Sequence, residues 1–235
     1  MRKLTALLLA LALTLGLSAA FADTKITVTG SGEVLIPADV AVISLGVNVR
    51  SAEAPSAQAE ANEVIAKIRE ALTAAGIDEE DISTGYINLY AAYDYSSSVE
   101  RITGYNASST LAVKVTDMTR VGEVIDLAFG AGANMLDGVS FSAKDDTAAR
   151  AEALKAAVAD AKAKADVLAE AAGLGKLEID SIAESGVYAY DSGANNFSAK
   201  GMITEQAEDA ATVIRAAKIC VSASVTITYE AKQKD

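Results

Sequence analysis

Two runs of carboxylates are the first candidates for chemistry in this chain. Asp78-Glu79-Glu80-Asp81 follows a predicted helix end and could attract calcium, but the run lacks the alternating spacing and the glycine of a calcium-binding loop. Asp145-Asp146 precedes a helical pattern, where carboxylates accept hydrogen bonds from free backbone N–H groups and meet the positive end of the helix dipole. We therefore interpret the first run as a solvated turn and the second as a helix cap, and we predict no metal site.

Histidine is absent from all 235 residues, and this absence restricts catalysis more than any motif that is present. It removes the commonest general base and the usual transition-metal ligand. No serine lies in the G-x-S-x-G pattern of a nucleophile elbow. We predict no catalytic residue and no cofactor. A hydrolase that uses a Ser–Lys arrangement or paired carboxylates remains the alternative.

Cys220 is the single cysteine, so no disulfide can form within the chain. Sequence alternation places this residue on the polar face of the last strand, together with Ser222 and Ser224. Two interpretations stay open for it. The thiol is either an inert, partly covered side chain, or a redox thiol that senses oxidants or forms an intermolecular disulfide.

The tyrosines are unevenly distributed along the chain. Five of the eight flank a serine-rich segment that reads as a hairpin loop, and they are Tyr86, Tyr90, Tyr93, Tyr95 and Tyr105. A tyrosine combines a wide apolar ring with a polar tip, which suits interfaces. Strands also favour tyrosine without any interface. We hold the interface as a hypothesis for these five residues.

The N-terminus is typical of a secretory signal peptide. Arg2-Lys3 is followed by an apolar run from Leu4 to Leu17 and by the small-x-small sequence Ala20-Phe21-Ala22. The run is shorter than the ~20 apolar residues that span a bilayer. We predict a signal peptide over 1–22 and a mature protein over 23–235, located in the periplasm, in the cell envelope or in the medium.

The net charge of −12 indicates which partners are unfavourable. An acidic surface repels phosphate backbones and anionic lipid headgroups, so we predict no nucleic-acid partner. No segment after the signal is long and apolar enough to cross a membrane, and we predict no membrane span in the mature chain.

Hydrophobic periodicity predicts an order of two strands, a helix, two strands, a helix, a strand, a helix, a strand and a final strand. Alternation of apolar residues marks the strands, as in Ala41, Ile43 and Leu45, whereas steps of three and four residues mark helices near 55–75, 118–131 and 145–172. Gly30-Ser31-Gly32 is expected to end the first strand as a turn. It is not a phosphate-binding loop, because no helix follows it.

These elements predict an α+β fold in which a largely antiparallel sheet of long strands carries helices on one face. We expect a single domain over 23–235, with a flexible loop over 186–212, where glycine, alanine and polar residues dominate.

The assembled pattern resembles the SIMPL family, a domain of unknown function that includes bacterial periplasmic immunogenic proteins and oxidative-stress defence proteins. The matching stretches are Ile26 to Glu33, Pro37-Ala38-Asp39, Gly76-Ile77, Asp81 to Thr84, Gly104 to Ala107 and the alanine-rich helix from Asp146 to Gly173. No established catalytic residue comes with this resemblance. It implies an exported, non-enzymatic α+β protein that tends to form homo-oligomers, with a contribution to oxidative-stress defence and an unidentified envelope partner.

Overall fold

The computed structural model describes residues 24–94, 100–192, 212–216 and 218–233, and these contain seven strands and three helices. The strands are β1 (Thr24–Pro37), β2 (Val40–Ser51), β3 (Ile82–Asp94), β4 (Arg101–Val115), β5 (Met135–Ser142), β6 (Leu174–Asp191) and β7 (Lys218–Gln233). The helices are α1 (Ala54–Ala74), α2 (Val121–Gly130) and α3 (Thr147–Ala171). The predicted order of strands and helices is confirmed, and so is the α+β class with long antiparallel strands.

Two local expectations need correction. Gly30-Ser31-Gly32 does not form a turn, because it lies inside β1. Residues 186–191 do not belong to the predicted loop, because they continue β6 and the backbone N–H of Ser192 donates to the carbonyl of Lys218 at 3.0 Å. The alternating Val187-Tyr188-Ala189-Tyr190 has the residue types that favour a strand. Residues 193–211 of the predicted loop and the predicted signal peptide lie outside the described residues.

The described chain divides into two compact units. The first contains the residues up to Gly32, Leu154–Gly186 and the residues from Ser224 onward, and the second contains Glu33–Ala153 and Val187–Ala223. The strands are divided between two sheets, one with the order β3-β4-β2-β5 and one with the order β1-β7-β6. Alternation alone does not show this division.

The second unit contains the four-stranded sheet. β2 pairs antiparallel with both β4 and β5, and β4 pairs antiparallel with β3. Helix α1 packs against β2 and β4, and α2 packs against α1 and β2. The largest fully buried side chains of this layer are Ile43, Leu45 and Val47 from β2, Leu111 and Val113 from β4, Ile68 and Leu72 from α1, and Val121, Val124 and Ile125 from α2.

Helix α1 begins and ends at residues whose types mark helix ends. Pro55 lies in its first turn, where a missing N–H leaves no bond unmade. Gly76 then takes a φ of +86°, and the N–H of Ile77 bonds back to the carbonyl of Leu72 at 3.1 Å. This left-handed glycine closes the helix as predicted.

A bulge interrupts the pairing of β3 with β4 between Thr84 and Ile87. There the backbone N–H of Tyr86 donates to the hydroxyl of Thr110, a buried residue of β4, at 3.0 Å. Gly85 leaves room for that hydroxyl, since a Cβ at this position would lie 2.6 Å from Thr110 Oγ1. Thr110 thus satisfies a donor that the bulge removes from the ladder.

The first unit is organised around a close approach of α3 to β1. A Cβ added at Gly30 would lie 2.0 Å from the carbonyl oxygen of Ala157 and 2.6 Å from the backbone nitrogen of Ala161. Helix α3 presents buried alanines at every fourth position on this side, and in the first unit they are Ala157, Ala161, Ala165 and Ala169. Small side chains on both elements therefore let the two backbones meet, and this contact accounts for a glycine inside a strand.

We expect Gly30→Ala to lower the free energy of unfolding by about 1–3 kcal/mol, because the added methyl group meets backbone atoms that cannot turn aside. Urea unfolding followed by circular dichroism measures this change. Gly130→Ala is the matched control, since a Cβ there meets nothing within 4 Å. Equal stability of the two variants would contradict the close approach.

We expect Thr110→Val to lower the free energy of unfolding by about 1 kcal/mol, because the Tyr86 N–H loses its acceptor while the side-chain volume is kept. The specific measurement is hydrogen exchange at the Tyr86 amide, which should lose protection in Thr110→Val and keep it in Thr110→Ser. Protection that persists in Thr110→Val would show that the hydroxyl does not hold the bulge.

Candidate interaction edge on the third strand

β3 is an edge strand of the four-stranded sheet. It has 13 residues, and β4 is its one neighbour in the sheet order. The backbone N–H and C=O groups on its other side face away from the ladder, and such a row is a template for another strand. This edge is therefore a candidate surface for recognition by another strand.

Apolar side chains of β3 are exposed on both faces of the sheet. Leu89 lies opposite Ala107 in the register, so it shares the face that carries α1, yet it is 41% exposed. Tyr90 lies opposite Asn106, on the reverse face, and is 47% exposed. Ile87 is 60% exposed. The helix layer therefore leaves the outer part of β3 uncovered.

β3 also lacks the charges that usually protect an edge. From Ile82 to Tyr93 the strand contains no Asp, Glu, Lys or Arg, although such residues form 22% of the chain. Natural edge strands are commonly short or carry charged residues that discourage pairing with another chain. β5, at the opposite edge of the same sheet, has 8 residues and contains Asp137. The carboxylate of β5 therefore lies inside the strand, whereas the one charged residue of β3, Asp94, lies at its end.

The five tyrosines predicted at an interface are placed differently by the fold. Tyr86, Tyr90 and Tyr93 lie exposed on β3. Tyr105 lies on β4 and is half-buried against the cluster formed by Val47, Ala57, Ala61 and Ala107. Tyr95 lies outside the described residues. Three of the five tyrosines therefore lie on the edge strand, whereas the ring of Tyr105 packs against the core.

Ile87 and Leu89 belong to the same surface, and the tyrosine count did not identify them. Their signal in the sequence is the uncharged run itself. Ile102 of β4, which lies opposite Tyr93, extends the exposed apolar surface onto the second strand of the hairpin.

Cys220 lies on β7 and is 4% exposed, so its thiol is almost fully covered. A hydrogen bond between this thiol and the hydroxyl of Tyr190, on β6, raises the pKa of Tyr190. Tyr190 itself is 50% exposed. The geometry agrees with a thiol that is poorly accessible to oxidants or to a second thiol.

The arrangement of the lysines gives no support to the Ser–Lys alternative. The amines of Lys67, Lys114 and Lys162 contact Glu63, Asp81 and Asp166 at 2.7, 2.9 and 2.6 Å. A cleft of about 920 Å³ in the first unit, beside α3 and β6, is lined by Lys155, Lys162 and Lys176, and no serine is among its described lining residues.

The carboxylate runs act as structural elements. Glu79–Asp81 forms a single 3-10 turn before β3, and Asp81 is the partner of Lys114. Asp145 accepts a hydrogen bond from the backbone N–H of Thr147 at 2.9 Å, which lowers the pKa of Asp145 and caps α3 as predicted. Among the residues that the structure describes, no group of three or more Asp, Glu, Cys or His side chains is arranged to hold a metal ion.

None of the described helices combines the length and the apolar character needed to cross a bilayer.

Comparison with known proteins places this fold in a family. A sequence model described as "SIMPL: Protein of unknown function (DUF541)" matches residues 26–229. The chain is similar to a 26 kDa periplasmic immunogenic protein of Brucella melitensis, with 32% identity over 142 residues that cover 58% of this chain and 57% of that protein. It is also similar to the uncharacterized protein YggE of Escherichia coli K12, with 29% identity over 136 residues that cover 58% of this chain and 55% of that protein.

The matches therefore span little more than half the length of these relatives. The family match itself extends through almost all of the chain that the structure describes, from β1 to β7. The chain belongs to the SIMPL family of proteins of unknown function.

Proposed function

We propose that the protein is an exported, non-enzymatic envelope protein that works as a homo-oligomer, and that the β3 edges of two copies pair with each other. The observation that carries this proposal is an edge strand that is uncharged from Ile82 to Tyr93 and has apolar side chains exposed on both faces. An edge of this kind is unusual in a protein that remains a monomer.

A second copy of the chain is the partner that the β3 edge fits most simply. Two identical edge strands related by a twofold axis run antiparallel, so each strand supplies the donors and acceptors that the other lacks. The pairing would join two four-stranded sheets into one of eight strands. Tyr90 and Leu89 of the two copies would then meet on opposite faces of the new sheet, which buries the exposed apolar area.

Charge favours the same edge. With a net charge of −12, two copies repel each other over most of their surfaces. Ile82–Tyr93 contributes nothing to that repulsion, because it contains no ionisable carboxylate or amine. Close approach therefore costs least along β3, and added salt should strengthen the association by screening the remaining charges.

Two further observations support a cellular location for the protein. The Brucella relative is named a periplasmic protein, and the N-terminal sequence predicts export. We infer a periplasmic or envelope location for this chain. A contribution to oxidative-stress defence is supported by the family resemblance. Survival of a deletion strain under peroxide, compared with its complemented parent, tests that contribution, and equal survival would remove it.

The decisive experiment measures mass. We expect the mature protein to sediment as a multiple of a monomer of at most 24.1 kDa, the mass of the whole chain. Leu89→Lys combined with Tyr90→Lys should convert it to the monomer, because the new charges repel across a symmetric strand pair and replace apolar contact. We expect the dissociation constant to rise by at least tenfold, or about 1.4 kcal/mol.

Val167→Lys combined with Leu168→Lys is the matched control. Both residues are exposed apolar positions on α3, so this variant changes charge and surface hydrophobicity equally but leaves β3 intact. It should keep the wild-type mass. A monomeric wild type would refute self-assembly, and an oligomer that survives Leu89→Lys and Tyr90→Lys would refute the β3 edge.

The accessibility of Cys220 tests the redox hypothesis. We expect the thiol of the native protein to react with an aromatic disulfide reagent roughly a hundredfold more slowly than the unfolded chain, because the reagent must wait for local opening. Tyr190→Ala should accelerate the reaction, and Tyr188→Ala, at an exposed neighbouring position, should not. Rapid reaction of the Cys220 thiol in the native wild type would support the redox hypothesis and contradict its burial.

A further inference from the structure

β1 is another edge strand, and side chains occupy two of its backbone groups. β7 is the one neighbour of β1 in its sheet. In the first unit, the backbone N–H of Ser31 donates to Asp160 Oδ2 at 2.8 Å, and the carbonyl oxygen of Thr29 accepts from Lys164 Nζ at 3.0 Å. Both partners are side chains of α3, so neither backbone group belongs to the β1–β7 ladder.

The two side chains act as one unit. Asp160 and Lys164 are one helical turn apart and form an ion pair of 2.7 Å. The Lys164 amine and the Ser31 N–H together lower the pKa of Asp160, so the carboxylate is charged at neutral pH. The hydroxyl of Ser31 lies 3.5 Å from the same oxygen.

The positions of these bonds imitate a neighbouring strand. Thr29 and Ser31 are two residues apart, so their backbone groups point to the same side of β1. A strand added at this edge would place a carbonyl oxygen near the Ser31 N–H and an N–H near the Thr29 carbonyl. Asp160 supplies the acceptor and Lys164 supplies the donor, and both carry charges that an incoming apolar strand would have to desolvate.

The reach of Asp160 depends on the packing of α3. An aspartate side chain is short, and it can bond to a strand backbone only where helix and strand lie close together. Gly30, between the two bonded residues, provides that approach, because Ala157 and Ala161 meet its backbone directly. The two bonds at the β1 edge therefore depend on the close contact between α3 and β1.

We propose that Asp160 and Lys164 close the β1 edge against strand addition by a second copy of the chain. Removal of both side chains frees the Ser31 N–H and the Thr29 carbonyl at the edge. The second copy is the expected occupant, because an identical edge supplies matching donors and acceptors about a twofold axis. This proposal does not depend on the β3 edge.

The test uses the full mature chain that carries Leu89→Lys and Tyr90→Lys, so that β3 is blocked. In this background, Asp160→Ala combined with Lys164→Ala should raise the weight-average mass in light scattering about twofold, the value for a symmetric dimer. Lys162→Ala combined with Asp166→Ala is the matched control, since it removes an i,i+4 ion pair of the same helix whose members bond to each other at 2.6 Å. The control should leave the mass unchanged.

Circular dichroism confirms that each variant is folded before its mass is compared. If the double alanine variant unfolds, Lys164→Ala alone frees the Thr29 carbonyl and should give a smaller rise in mass. An unchanged mass in folded Asp160→Ala and Lys164→Ala protein overturns the proposal, and so does an equal rise in the control. If the wild type is itself a monomer, the β3 proposal fails, and the same comparison in the wild-type background still decides this one.

Discussion

The contact between the backbones of β1 and α3 at Gly30 determines much of the first unit. A side chain at this position would overlap the carbonyl of Ala157, so the strand must have glycine and the helix must have small residues where they meet. Ala157 and Ala161, two of the buried alanines of α3, lie at this contact. The same close contact brings Asp160 and Lys164 within bonding distance of the backbone of β1. The packing of α3 on β1 therefore affects both the core of the first unit and the hydrogen bonds at the β1 edge.

The edge strands of the described chain differ in the charged residues and hydrogen bonds that would hinder pairing with another strand. β1 has backbone groups bonded by side chains of α3, and β6 carries Lys176, Glu178, Asp180 and Glu184 along its length. β5 is short and contains a carboxylate. β3 is longer than β5, and its one charged residue is Asp94 at its C-terminal end. This contrast within one molecule supports the proposal that β3 pairs with a partner.

Much of the fold could be predicted from the sequence, because alternation and helical spacing report directly which face of an element is buried. The order of elements and the glycine end of α1 follow from such local signals. Which strands share a sheet does not, since every strand with one buried face shows the same alternation. Gly30 was misread for a related reason: glycine marks both turns and close backbone contacts, and only the position of α3 distinguishes them.

The candidate site was predictable in part. Tyr90 and Tyr105 look equivalent in the sequence, but Tyr105 lies on the face of the sheet that α1 covers, whereas Tyr90 lies on the reverse face and is exposed. Ile87 and Leu89 are not aromatic, and the one sequence feature that marks them as exposed is the absence of charge from Ile82 to Tyr93. Alternation groups Cys220 with the polar Ser222 and Ser224, yet Cys220 is buried, and its thiol bonds to Tyr190 from a different strand.

The buried alanines of α3 restrict which substitutions the helix can accept. In most cores the harmful substitutions shorten a side chain and leave a void, whereas here almost nothing remains to be shortened. A single-nucleotide change in an alanine codon enlarges the residue in every case except glycine, so random drift at Ala157 or Ala161 pushes the helix away from the strand. Natural diversity at these positions should be narrow, with glycine and serine as the tolerated replacements.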